Sequence, residues 1–224
     1  MKISMILPIY NEVKTIVQVQ ESLQNLKGRC EILFVDGGSN DGTLERILPE
    51  FRVISSPKGR ANQMNTGAEK STGDVLFFVH CDSELPKTAL FEIEKVMKQY
   101  DAGCFGIRFH SKNISMKCCQ VLSNCRAKYG HIIFGDQGIF IKKDVFIKAG
   151  GFPSLPIMED YQLSLTLKEM KVKTGMTKSR IYTSDRRFVE GGRLRVMWKM
   201  NRLRAMYRRG VDIYKISELY RDIR

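Results

Sequence analysis

The chain has 224 residues, 43% hydrophobic and 27% charged, the balance of a globular protein large enough to bury a core without disulfide or metal staples. No apolar run reaches the roughly 18–20 residues of a membrane span. The opening MKISMILPIY lacks the long apolar region and cleavage site of a signal peptide, so a cytoplasmic protein is expected.

Thirty-seven Lys and Arg against twenty-four Asp and Glu leave a net charge of +13. Eleven basic and two acidic residues fall between Lys178 and Gly210, so an anionic partner is expected there: small-molecule phosphates, a lipid surface or nucleic acid. A solvated helix face would account for part of the same surplus. The six cysteines show no CxxC pair and no zinc-type spacing, which predicts free, mostly buried thiols.

In chain order, ISMILP (3–8) reads as a first strand, and Asn11 as the cap of a helix over about residues 12–27. CEILFVD (30–36) is a second strand, which GGSNDG turns into a short helix, TLERIL. FRVISS (51–56) is a third strand, GRANQMNTGAEKS is helical, and DVLFFV (74–79) is a fourth strand. Pro86 opens a helix through KTALFEIEKVMKQY. Beyond it, 102–109 is strand-like, 113–128 helical, 135–152 strand plus short helix with a Gly-Gly stop, and 158–171 an amphipathic helix. A last strand is placed at 179–184, with basic helical sequence to the end.

This alternation, with near-continuous apolar strands, predicts an α/β fold: a mostly parallel sheet with helices on both faces. No linker or repeat interrupts it, so residues 1–224 are read as a single domain. Ligands of such sheets bind beyond the C-terminal strand ends. The four early tails, Pro8 to Glu12, Asp36 to Ser39, Pro57 to Arg60 and His80 to Asp82, should therefore face one crevice.

Each chemistry-bearing group there has two readings. Asp36, beside two glycines, could accept a hydrogen bond from a base edge or merely cap its turn. Tyr10 offers an aromatic face on which a base could stack. Asp82 could hold a hard dication whose shell is completed by phosphate oxygens. His80 could be a second metal ligand, or could orient Asp82. Glu159 and Asp160 open a helix, where the macrodipole favours negative charge, yet either could serve as a general base near an acceptor hydroxyl. Arg186 and Arg187 suit phosphate binding and are also common surface residues. In GRLRVMWKMNRLRAMYRRG, Arg195, Lys199, Arg202 and Arg209 form one stripe, and Val196, Met200, Leu203 and Tyr207 the adjacent one. Such a helix either docks on anionic lipid or packs its apolar stripe into the core.

The order of these features, PIYNE, then VDGGSNDGT, then a strand ended by a short acidic motif, then GGF and ED before a helix, resembles the family 2 glycosyltransferases of GT-A fold. GRANQMNTGA, FFVHCDSELP, FGDQGIFIKKDVFIKAGGFP, MEDYQLS and SDRRF resemble a bacterial branch that writes HxD for DxD and is associated with radical-SAM and selenium-related proteins. The resemblance implies a nucleotide-binding half (1–100), an acceptor and catalytic half (101–190) and basic C-terminal helices (191–224). Pro8, Tyr10, Asn11 and Glu12 match the first nucleotide-binding segment, and Asp36 the carboxylate that reads the base. Lys58, Arg60 and Asn65 fall in the segment bordering the nucleotide. Asp82 matches the metal-contacting acid, with His80 in place of its partner. Asp160 matches the catalytic base, with Glu159 beside it, and Gly135, Asp136 and Gln137 fall in the acceptor-side loop. Arg186 and Arg187 sit where other members close over the diphosphate, although the closing motif is spelled differently.

The implied activity is inverting transfer of a sugar from a nucleoside diphosphate-sugar, a UDP-sugar favoured, to a hydroxyl acceptor, with Mn2+ or Mg2+ assisting. The acceptor is left open; the lipid-docking reading of the basic helix would make it lipid-linked and bring peripheral contact with anionic membrane, the packing reading would not, and no nucleic acid is expected. The rival readings are a non-catalytic nucleotide-sugar binding module, suggested by the altered DxD, and a basic nucleic-acid-binding protein, suggested by the charge.

Overall fold

A computed structural model describes residues 1–221 of the chain; of Arg186, Arg187 and Arg221 it describes the backbone only. Seven strands among the described residues form one sheet: β1 (Ile3–Ile9), β2 (Glu31–Asp36), β3 (Arg52–Ser55), β4 (Val75–Phe78), β5 (Ala102–Arg108), β6 (Ile139–Lys142) and β7 (Thr174–Tyr182). Their order is β3-β2-β1-β4-β6-β5-β7. β1 to β4 are mutually parallel, β5 pairs with β7 in parallel, and β6 runs antiparallel to both β4 and β5. The mostly parallel α/β expectation holds, with β6 as the reversed strand.

Alternation along the strands sends side chains to opposite faces. Met5, Leu7 and Ile9 join one buried cluster together with α1 (Ile16–Leu23) and α3 (Ala89–Met97), whereas Ile6 joins another. That second cluster holds Met64 of α2 (Arg60–Lys70), Phe146 of α5 (Lys143–Lys148) and Leu163 of α6 (Glu159–Glu169). α4 (Ile114–Gly130) joins the first cluster through Met116 near its start and the second through Ala127 near its end. A third cluster joins Met158 and Tyr161 to Val196 and Leu203 of α8 (Arg193–Arg208) and Ile216 of α9 (Ile213–Arg221), with Met200 and Tyr207 packed against it. The apolar stripe of α8 is therefore core, the packing alternative of the sequence reading. The backbone of Arg186–Glu190 forms a short helix, α7.

Several boundaries differ from expectation for local reasons. The first helix begins at Ile16, because residues 11–13 are tied to the neighbouring strand tail. The backbone N–H groups of Asn11, Glu12 and Val13 donate to Ser39, Thr43 and Asp41. Asn11 is not a helix cap; it has φ 56° and accepts a hydrogen bond from the Asn40 N–H. TLERIL contains only a 3-10 turn, Leu44–Arg46. The helix after Pro86 starts at Ala89, since residues first bridge across to β7 through Glu84 and Tyr182. β7 itself starts at Thr174, five residues before the expected position, because it pairs with β5 along its length.

Candidate functional site

In-register pairing places the tails together. Ile9 lies opposite Asp36, and Asp36 opposite Ser55, so β1, β2 and β3 end at one edge. Gln63 of α2 fastens that edge, its buried carboxamide donating to the carbonyls of Ile9 (2.6 Å) and Val35 (2.8 Å). Nothing in the sequence marked Gln63, whose role depends on two strands ending side by side. Pro8 lies within β1, its carbonyl accepting from the Cys81 thiol, and burial pushes that thiol's pKa well up.

On the β1–β3 side, Lys58 stands against Tyr10, with Nζ 2.9 Å from the phenol oxygen and 4.1 Å from the ring centroid. Tyr10 remains 37% exposed. Asp36 is buried and accepts from the Gly38 N–H (2.9 Å) and from the N–H and hydroxyl of Ser39. It thus fixes the GGS turn with the same carboxylate that could face a base. Glu12 accepts from the Thr15 hydroxyl at 2.6 Å. Asn65 spends its carboxamide on the Phe152 backbone, donating to the carbonyl (2.7 Å) and accepting from the N–H (2.9 Å). It therefore holds the Gly-Gly-Phe loop onto α2.

The reversed strand β6 brings the other half of the site. Phe78 pairs with Ile139, so the residues just before β6 come up beside the tail of β4. A 3-10 turn, Gly135–Gln137, lies there. The Gly135 N–H donates to Asp160 Oδ2 at 2.7 Å, and a Cβ on Gly135 would lie 2.7 Å from His80 Nε2 and 3.3 Å from Asp160 Oδ2. His80, Gly135 and Asp160 thus converge with no space for a side chain at the middle position. The other oxygen of Asp160 accepts from the Tyr161 N–H at 2.7 Å, so the start of α6 stabilises the carboxylate as a helix N-terminus does. Met158, just before α6, is buried with φ 68°. A left-handed Met is uncommon, and such strain gathers where geometry is over-determined.

Arg60 connects the two halves. Its Nε stands 3.4 Å from Glu159 Oε1. Burial works to lower the Arg60 pKa, but the carboxylates of Glu159, Asp160 and Asp82 outweigh it and raise the pKa above its usual value. Three candidate carboxylates and an arginine expected beside the nucleotide thereby share one field. Asp82 is exposed at the β4 tail, whereas Glu84 turns away to His110, 3.0 Å from its Nε2. The side chains of Arg186 and Arg187 lie outside the described structure. Among the described residues no group of three or more His, Cys, Asp or Glu forms a metal cage. Asp82 and His80 suit a hard cation only if a ligand supplies further oxygens.

A wall unmarked by sequence reasoning flanks Gly135. Arg126 of α4 lies over the Phe134 ring, 3.9 Å from its centroid, and Arg204 of α8 lies 5.3 Å from the same centroid. Burial pushes the Arg126 pKa down to about 10, against the attraction of Asp136 and with the repulsion of Arg204.

A carboxylate on a helix start, a second acid at a strand tip and Arg60 in the field of both thus lie beyond the C-terminal strand ends, where sheets of this kind bind ligands. The glycosyl transferase family 2 model matches residues 4–125, more than half of the chain, and the chain belongs to that family. It is 26% identical over 193 residues to the probable glycosyltransferase YdaM of Bacillus subtilis, covering 73% of this chain and 46% of that protein. It is 28% identical over 183 residues to an uncharacterized glycosyltransferase of Haemophilus influenzae, covering 74% and 61%. The chain thus spans about half of these relatives' length.

Among solved structures, the mannosyltransferase PcManGT of Pyrobaculum calidifontis, in complex with GDP-Man and Mn2+, matches with TM-score 0.68 at 18% identity, covering 90% of this chain and 61% of that one. Glucosyl-3-phosphoglycerate synthase of Mycobacterium tuberculosis, with Mn2+, UDP and glucosyl-3-phosphoglycerate, matches with TM-score 0.63 at 16% identity, covering 94% and 81%. These likenesses establish the GT-A fold.

Proposed function

We propose that the protein transfers a sugar, with inversion, from a nucleoside diphosphate-sugar to a hydroxyl acceptor, and that it belongs to the family branch that writes HxD for DxD. The observation that carries this reading is Asp160, whose carboxylate stands at the start of α6 and is held by the Gly135 N–H. Family membership supports it, as do the nucleotide-sugar complexes of fold neighbours.

The donor's base would lie between Tyr10 and Asp36, with a base N–H directed at the Asp36 carboxylate and a UDP-sugar preferred. Pro8, Asn11, Glu12 and Asn65 would shape that pocket through the contacts described, and Lys58 and Arg60 would face the phosphates. Arg186 and Arg187 are assigned to closure over the diphosphate. Across the crevice, Asp160 would take the acceptor hydroxyl proton as its oxygen bonds to the anomeric carbon. The carbon–oxygen bond to the diphosphate breaks in line, and its electron pair leaves with the phosphate. Asp82 and His80 would be the residues to hold a divalent cation, Mn2+ or Mg2+, which when bound would supply charge neutralisation for the departing diphosphate. Glu159 keeps Arg60 placed between the halves.

The test is transfer from a panel of nucleotide sugars to hydroxyl acceptors, with Mn2+, by Asp160→Asn and Asp82→Ala. Both should lose transfer while keeping their circular dichroism and Tm. Undiminished turnover in both would sink the reading, and donor binding without any turnover in the natural chain would make it a binding module instead.

A further inference from the structure

α4 carries an apolar stripe that nothing in the described structure covers. Ile114, Cys118, Val121, Leu122, Cys125 and Tyr129 recur at helical spacing on one side of it. The two cysteines are exposed, and each of the other four is more than half exposed. On a helical wheel they lie opposite Met116 and Ala127, the buried positions of α4. Contiguous apolar surface of this kind marks an interaction site.

α8 extends this surface. The starts of the two helices share a groove lined by Asn113, Ser115, Arg193 and Leu194. Further along, Arg126 and Arg204 meet over Phe134. The helices therefore run side by side in the same direction. The wheel of α8, with Val196 and Leu203 buried, puts Leu194 and Trp198 on its outward side, 71% and 61% exposed.

Charge selects the occupant. Neither helix contains an acidic residue, while α4 has three basic residues and α8 six. Lys117 and Lys128 edge the α4 stripe on the side away from α8. Arg195 and Arg202 edge the far side of α8, with Arg202 lying over the Trp198 ring at 5.5 Å. An apolar strip between two cationic rims matches an interfacial helix pair lying in a bilayer of anionic lipid. A second copy of the chain would bring the same cations together, at a net charge of +13 on each.

We propose that α4 and α8 together form a docking face for an anionic lipid bilayer, with Leu122, Tyr129 and Trp198 entering the acyl boundary. The face differs from the α8 stripe of Val196, Met200, Leu203 and Tyr207, which the fold uses as core. The inference does not depend on the transfer reading.

Because Trp198 is the one tryptophan of the chain, its fluorescence reports on this face directly. Sucrose-loaded vesicles of phosphatidylglycerol and phosphatidylcholine should pellet the protein at low salt, and less so at high salt. Trp198 emission should shift to the blue, and Cys118 and Cys125 should be protected from thiol reagents. Pure phosphatidylcholine should do none of these. Val121→Glu with Leu122→Glu should weaken vesicle binding at least about tenfold, with Tm and donor binding unchanged because both positions are exposed. The proposal is overturned if phosphatidylglycerol vesicles neither pellet the protein nor shift Trp198. It is equally overturned if the double variant binds them undiminished. A blue-shifted Trp198 without vesicles, rising with protein concentration alongside dimer in sedimentation, would assign the face to a second copy and also overturn it.

Discussion

Arg60 Nε stands 3.4 Å from Glu159 Oε1 and so ties the first turn of α2 to the first turn of α6. Glu159 is 4% exposed, and removing its cation leaves charge in a poorly solvated place. Breaking a fully buried pair costs ~3–5 kcal/mol, and the 39% exposure of the Arg60 side chain reduces the expectation for Arg60→Met to about 1–3 kcal/mol. Urea unfolding of Arg60→Met, Glu159→Gln and the double variant should give a coupling above about 0.5 kcal/mol. A coupling of zero would mean that the two helices are held by other contacts.

Gly135→Ala tests the convergence at the reversed strand. The added Cβ would meet His80 Nε2 at 2.7 Å and Asp160 Oδ2 at 3.3 Å, so one of these groups must move. Overpacking of this kind costs ~1–3 kcal/mol. Sugar transfer should drop at least about tenfold, because the displaced group includes the proposed base. A Gly135→Ala enzyme with natural rates would dissociate Asp160 from the chemistry.

His80→Asp places a second acid two residues before Asp82, as the proposed DxD correspondence would have it. With two carboxylates at the β4 tail, the Mn2+ concentration for half-maximal transfer should fall by about tenfold. Chelation should abolish transfer in both forms. An unchanged metal requirement would place His80 outside the cation's reach.

The thiols predict a pH response. Burial pushes the Cys30 pKa up to about 11 and that of Cys104 up to about 12. Below the ordinary thiol range both are neutral whether folded or unfolded, so stability is flat. As pH rises beyond that range the unfolded chain ionises first, and stability falls toward the folded values. At mildly alkaline pH, Cys118 and Cys125 should react quickly with a thiol reagent, and Cys81 and Cys104 only after unfolding. Rapid labelling of all six would contradict the burial described.

The fold was largely readable because its strands are continuous apolar runs with punctuated ends. PIYNE, VDGG and the acid after VLFFV mark one edge of a parallel sheet whichever way the helices pack. What stayed hidden depends on distant segments meeting. Gln63 reads as an ordinary helix residue until two strand ends come alongside it. Asn65 looks polar and available, yet Phe152 uses both ends of its carboxamide. Asn11 looks like a helix cap, but the Ser39 and Asn40 contacts claim it first. The stripe on α8 had two readings by periodicity, and only the positions of α6 and α9 decide between them. Helix α4 carries an equally regular stripe, whose exposure no single-helix pattern could reveal.

The reversal of β6 makes residues 109–138 an excursion that leaves the sheet after Arg108 and returns at Ile139 along the same edge. Its ends are pinned by the sheet, so its length and content can change without disturbing the register of β1 to β4. The excursion contains α4 at one end and Gly135, beside Asp160, at the other. On the proposals above, the α4 part of the docking face and the loop beside the base would be carried by a single exchangeable passage, separate from the strands that would read the donor. Grafting that passage between family members should move the α4 stripe and the Gly135 loop together and leave the α8 part of the face, with Trp198, in place.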